Sequence, residues 1–163
     1  MIPEKLKKEL ETRVASAITT REAAVDVMKE IQNHYGWLTD EGVVEAAEIL
    51  GLSPLQVEEL ATFYEMIFRR PVGKKVIKVC DSISCWTMGD EALMAHLSKR
   101  LGVEPGGTTA DGFFTLLPCS CLGNCGCAPA MMVGERMYEK LTPDKADEIL
   151  EKVRKSSENA DKG

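Results

Sequence analysis

Six cysteines carry the chemistry open to this chain, and all of them fall within residues 80–127. The first pair, Cys80 and Cys85, is separated by four residues. The second group is the run Cys119-Ser120-Cys121-Leu122-Gly123-Asn124-Cys125-Gly126-Cys127. Thiolates close in sequence can hold one metal, and a distant pair can close the site. A [2Fe–2S] cluster asks for four thiolates, two on each iron, within loops shaped around the inorganic sulfides. Gly123 and Gly126 let the second loop turn tightly beside such a group.

Spacing separates this chemistry from its competitors. Structural zinc sites favour two similar knuckles with gaps of two to four residues, a poorer match to this pattern. A thioredoxin-type Cys-x-x-Cys is absent, which disfavours dithiol catalysis. Plant-type ferredoxins need a cysteine shortly after the first pair, and Ser84-Cys85-Trp86-Thr87-Met88 offers none. Four-cysteine zinc in an interaction module and a thiol-disulfide protein using Cys119 or Cys127 therefore stand as alternatives of a different class. Spacing alone does not choose between Cys119 and Cys121, or between Cys125 and Cys127.

The elements that must position these residues divide the chain in two. Residues 1–70 contain no cysteine and read as helices. Thr20 is expected to cap a segment with Ala24, Val27, Met28 and Ile31 on one face. Thr39 caps the next, carrying Val43, Ala46, Ala47 and Leu50, and Gly51 stops it. Ser53-Pro54-Leu55-Gln56 combines an N-cap serine, a proline at the first helical position and a capping-box glutamine. That helix is expected to present Val57, Leu60, Ala61, Tyr64 and Phe68 and to end near Arg69-Arg70-Pro71. Residues 4–16 form a further helix of weaker periodicity.

After Pro71-Val72-Gly73 the pattern changes. Lys75 to Val79 is β-branched and reads as a strand ending at Cys80. Residues 86–101 read as one helix that begins just after Cys85 and ends at Gly102, and a helix start offers free backbone N–H groups to thiolates and sulfides. Strands are expected at Phe113 to Leu117, Ala130 to Val133 and Arg136 to Tyr138, with a last helix opening at Thr142-Pro143-Asp144. The expected class is α+β: a helical bundle domain over residues 1–72, a compact α/β domain over 73–155, and a polar tail over 156–163.

Composition bounds the rest. The chain has 163 residues, 44% hydrophobic and 28% charged, with a net charge of −6. Such an acidic balance argues against sequence-independent nucleic-acid binding. No apolar run reaches the roughly 20 residues that span a bilayer. The start, Met1 to Lys8, has no apolar core or cleavage site, so no secretory leader is expected. A reducing, cytoplasmic setting follows as an expectation, and there clustered cysteines favour metal or redox roles over a disulfide framework.

Several motifs in order resemble one known family. They are Gly36-Trp37-Leu38, Val57 to Ala61-Thr62-Phe63-Tyr64, Val79-Cys80 to Cys85, Thr109 to Leu116 with Asp111-Gly112, and Cys121-Leu122-Gly123-Asn124-Cys125 through Ala128-Pro129. Together they look like the thioredoxin-like [2Fe–2S] subunit, the E type, of NADH:quinone oxidoreductase (respiratory complex I), shared with NAD-linked hydrogenases and formate dehydrogenases. The resemblance covers most of the chain and implies a thioredoxin-like fold for the second domain.

What the resemblance implies is specific. It places the cluster ligands at Cys80, Cys85, Cys121 and Cys125, with no catalytic residue on this chain. It implies an electron-transfer role within an NADH dehydrogenase module, with NADH and FMN on a flavoprotein partner, and a position peripheral to the inner face of the cell membrane through the complex. The equivalent subunit of a hydrogenase or formate dehydrogenase is the alternative within the family. No phosphate-cradling glycine motif occurs here; Gly102-Val103-Glu104-Pro105-Gly106-Gly107 fits none. Cys119 and Cys127 depart from the family pattern, and their plain reading is as small buried residues.

Other residues carry weaker signals. His34 reads as a helix-end residue and His96 as a helix-surface one; neither lies near the cysteines, so a Rieske-type site is not expected. Trp86 reads equally as a shield beside a ligand or as core. Met131 and Met132 read as strand core. Phe63, Tyr64, Met66, Ile67 and Phe68 read mostly as bundle core, with a partner-docking face as the sharper possibility.

Overall fold

A computed structural model describes residues 1–160, and the chain forms two compact units, Met1–Val72 and Gly73–Gly163. The architecture is α+β, as expected from the sequence.

The first unit is built from α1 (Glu4–Ser16), α2 (Thr20–Tyr35), α3 (Asp40–Leu50) and α4 (Pro54–Phe63). Its core gathers the helical stripes read from sequence: Val27, Met28 and Ile31 of α2, Ala46 and Leu50 of α3, and Val57 and Ala61 of α4 are all buried. The Ser53–Gln56 capping box is fully formed. Two expectations need correction. Thr19, not Thr20, caps α2, its hydroxyl accepting from the Glu22 N–H. Helix α4 stops at Phe63, because the chain turns extended at Tyr64. Phe68 therefore lies beyond the helix, where its N–H donates to the buried Gln32 side chain. Phe63 itself is 79% exposed and Met66 41%, whereas Ile67 is core. Arg69 secures this return by donating to Glu58, Asp40 and the Leu38 carbonyl.

The second unit holds a four-stranded sheet in the order β2-β1-β3-β4, from β1 (Lys75–Cys80), β2 (Phe114–Cys119), β3 (Met131–Val133) and β4 (Arg136–Tyr138). β1 and β2 run parallel, so the chain must cross over between them. The crossover carries α5 (Ile83–Thr87) and α6 (Asp90–Leu101). The single helix expected over 86–101 is thus two. Gly89 sits at φ +94°, a conformation that glycine adopts without strain, and it breaks the path between them. β3 returns antiparallel to β1 and pairs with β4.

Helix α7 (Pro143–Ala160) packs beside α6, tied to it by His96 and Arg100 on Asp147 and by Arg100 on Glu151. Leu93 and Leu97 of α6, Ile149 and Leu150 of α7, and Ile77, Phe114, Leu116 and Met131 of the sheet form one core. Residues 156–160, which read as polar tail, continue the helix, and Ser157 is buried. Residues 161–163 of that expected tail lie outside the described residues.

Candidate metal centre

β1 delivers the first cysteine. Its alternation is apolar on both faces, as a central strand requires, and it ends at Cys80, 3% exposed. One tight turn later Ser82 opens α5, and Cys85 points back from that short helix into the same pocket, 2% exposed. Cys80, Cys85 and Ala130 form a small cluster of their own, with Leu122, Ala128 and Met137 against it.

The second pair comes from the loop after β2. Cys121 and Cys125 are exposed, and their Sγ atoms lie 4.0 Å apart. Cys121 also interacts with Cys80 and with the Ser82 hydroxyl. The contacts therefore run from Cys85 to Cys80, from Cys80 to Cys121, and from Cys121 to Cys125. The four residues that the resemblance singled out converge, two on the buried side and two at the surface.

Hydrogen-bond donors meet these sulfurs. The Gly123 N–H lies 3.4 Å from Cys121 Sγ, and the Ala130 N–H donates to Cys85. The electrostatics differ sharply between the two sides. Burial, followed by the neighbouring Cys80 thiol, pushes Cys85 up to about 11. The Gly123 N–H, followed by Cys125, pulls Cys121 below the ordinary thiol value. A buried thiol resists ionising unless a cation or metal compensates the charge, whereas an N–H donor favours the thiolate.

Cys119 and Cys127 lie on the flanks. Cys119 ends β2 directly across the parallel ladder from Cys80 and is buried. Cys127 closes the single helical turn Cys125–Cys127, and its thiol meets the Glu139 carboxylate, which Asn124 also holds at 3.1 Å. All six cysteines are described, and none is in a disulfide. Trp86 is 54% exposed, its indole N–H donating to Glu91, so it is neither core nor a closed shield. His96 binds Asp147, and His34 lies in the last turn of α2.

The donor set suits a [2Fe–2S] cluster. Four soft thiols arrive as pairs from two segments, and N–H groups already point at two of the sulfurs. Among the described residues no group of three or more His, Cys, Asp or Glu is arranged to hold a single metal ion. A two-iron cluster asks for something else, two thiolates per iron.

Comparison with known proteins agrees. Residues 8–154 match the family described as thioredoxin-like [2Fe–2S] ferredoxin. The E-type subunit of NADH-quinone oxidoreductase from Escherichia coli strain K12 is 44% identical over 134 residues, covering 82% of this chain and 81% of that protein. The protein of the same name from Pseudomonas aeruginosa is 44% identical over 131 residues, covering 80% and 79%. Among solved structures, an air-oxidised NAD+-reducing [NiFe]-hydrogenase superposes with a TM-score of 0.67 at 24% identity. That likeness covers 80% of this chain but only 23% of the hydrogenase chain, and at this identity it speaks to fold alone.

Proposed function

The chain belongs to the thioredoxin-like [2Fe–2S] ferredoxin family, and from that premise we propose that it is the electron-transfer subunit of an NADH-quinone oxidoreductase, with Cys80, Cys85, Cys121 and Cys125 holding its cluster. The observation that carries the reading is the convergence of these four thiols, in a chain that aligns over four-fifths of its length with E-type subunits of that oxidoreductase. The 44% identity to those proteins, over four-fifths of each chain, favours the quinone-linked assembly.

A bound [2Fe–2S] cluster takes up and releases one electron at a time. The chain's own residues do the rest. The strand end at Cys80 and the helix at Cys85 form the rigid wall of the site, and the Cys121–Cys125 loop forms its outer wall. The Ala130 and Gly123 N–H groups stabilise negative charge on the sulfurs they meet, which favours the reduced state. Because Cys121 and Cys125 are exposed, a redox partner would approach a bound cluster from their side. Ile83, Trp86 and Met88, on α5 and at its end, are all more than half exposed and give a partner an apolar surface to cover.

The electron's other station is a flavoprotein subunit that binds NADH and FMN. This chain's lack of a phosphate-cradling motif is consistent with that division of labour. No described helix is long and apolar enough to cross a membrane. The proposed position is accordingly at the inner face of the cell membrane, reached through the rest of the complex.

The test is a visible and EPR spectrum of anaerobically purified protein before and after dithionite, with iron and zinc quantified. Two irons per chain and a spin-half signal on reduction are expected. Stoichiometric zinc in a colourless sample would replace this reading with a structural module.

A further inference from the structure

A second site lies on the same unit, beside the thiols: Asp81 follows Cys80, and the Asp90 charge is felt at Cys85. A cavity of about 820 Å³ opens between α6, the turn that follows it and the ends of β1 and β2. One wall is the face of α6 that carries Glu91, Met94, Ala95 and Ser98, spaced as one helical stripe. Val103 and Pro105 extend this apolar surface past the helix end. The charge is lopsided: among the described residues, Asp81, Asp90, Glu91 and Glu104 line the cavity against the single cation Lys99.

Asp90 is the unusual member. Its side chain is 4% exposed, and its Oδ1 has no hydrogen-bond partner among the described residues. A buried carboxylate oxygen left without a donor keeps the desolvation cost of burial uncompensated. Neighbouring acids deepen the problem instead of relieving it. A cation entering the cavity would relieve both.

We propose that this groove is a docking site for a segment of a partner subunit that lays apolar side chains along α6 and sets an arginine or lysine against Asp90. The length of the wall argues for a polypeptide. From Glu91 to Gly102 the groove runs along three turns, roughly 16 Å at the helical rise. An isolated small cation would meet the carboxylates and leave Met94, Ala95 and Val103 wet. A chain segment covers both, as in other helix-face grooves where apolar anchors give affinity and one buried polar pair sets register. The inference rests on the reading of the chain as one subunit of a multi-subunit oxidoreductase, which supplies the partner.

The experiment compares hydrogen exchange in the holo chain alone and in the assembled oxidoreductase, with the cluster spectrum recorded on the same samples. The amides of residues 91–104 are expected to exchange at least tenfold more slowly in the complex. Asp90→Asn should weaken reassembly with complex depleted of this subunit by roughly tenfold or more, the usual scale for unpairing a buried interfacial charge. Glu104→Lys, at an exposed position, should weaken it as well, and decides the matter if Asp90→Asn does not load its cluster. An intact two-iron spectrum with unprotected amides and unchanged reassembly of both variants would overturn the docking site and leave the electron-transfer reading standing. Equal protection by arginine amide alone, without partner, would overturn it too, by giving the groove to a free cation. A missing cluster is a separate result, and it would count against the proposed function.

Discussion

Cys80 and Cys119 are register partners at the ends of the parallel β1–β2 ladder, and each is 3% exposed. Two buried thiols thus sit side by side at the edge of one site, and the proposed ligand set takes only one of them. Cys80 interacts with Cys85 and with Cys121, which in turn reaches Cys125. Cys119→Ala should therefore keep two irons per chain and lose stability by about 1–2 kcal/mol, the cost of a small buried void. Cys121→Ser should lose the cluster or change its EPR signal. Retained iron in Cys121→Ser together with lost iron in Cys119→Ser would exchange their roles. Cys127→Ser, whose thiol meets Glu139, should also keep both irons.

The unequal thiols predict an order of alkylation in the metal-free chain. The thiolate is the nucleophile, so a low pKa and exposure both speed the reaction. Cys121 has both, held down by the Gly123 N–H and open to solvent. Cys85 has neither, being buried and pushed up to about 11. Iodoacetamide at pH 8, followed by peptide mass mapping, should label Cys121 well before Cys85. Raising the pH toward 11 should speed Cys85 far more than Cys121. Metal-loaded protein should protect both.

Much of this was legible in the sequence, and the exceptions share a cause. The α4 start was clear because Ser53, Pro54 and Gln56 act locally, and the structure forms that capping box as written. The central strand was clear because Val76, Ile77 and Val79 have strand preference and burial together. The split between α5 and α6 was not, because Ile83 to Leu101 contains no proline and its one break depends on Gly89 adopting a positive φ. Phe63 belongs to a run read mostly as core, with a docking face as the alternative; the chain turns off the helical path just after it and leaves the ring in solvent. At the site, cysteine spacing announced a metal centre but left two choices open, since Cys119, Cys121, Cys125 and Cys127 differ by where the loop folds them. Asp90 gave no signal at all. An acid in the first turn of a helix is ordinarily a solvated partner of the helix dipole, and only tertiary packing buries this one.

Acid should expose the contribution of Asp111. Its carboxylate accepts from the Thr109 hydroxyl at 2.5 Å, from Arg154 at 2.6 Å and from the Phe113 N–H at 3.0 Å. These donors, Thr109 first, hold it down at about 2. An unfolded aspartate titrates near roughly 3.9. The folded form therefore holds its proton less tightly, and the stabilisation is fully present above about pH 4 and fades as the pH falls through about 2. Thermal midpoints of wild type and Asp111→Asn, taken at the same iron loading, should differ most above pH 4 and converge toward pH 2. Parallel curves across that range would remove Asp111 from the acid response. Arg154→Ala should act in the same direction and further, because its guanidinium also lies 4.6 Å over the Phe113 ring.

Gly73 sets how closely the β1–β2 edge can approach, and replacing it tests the frame that delivers Cys80. A Cβ there would come within 2.9 Å of the Phe113 carbonyl carbon and oxygen and of the Phe114 carbonyl carbon. These are backbone atoms, and they are fixed. Gly73 N–H donates to the buried Thr115 hydroxyl at 2.6 Å, and the next two residues donate to Gly112 and Phe113. A shift of either strand to make room would stretch all three bonds. Gly73→Ala should destabilise the chain by about 1–3 kcal/mol, as overpacking does elsewhere, read as a lower urea midpoint. Gly126→Ala is the matched control. A Cβ there meets nothing within 4 Å, so stability should move by less than about 0.5 kcal/mol. Equal midpoints for the two variants would mean that the ladder slides to admit the methyl group. In that case the register holding Cys80 opposite Cys119 would be softer than this close contact implies.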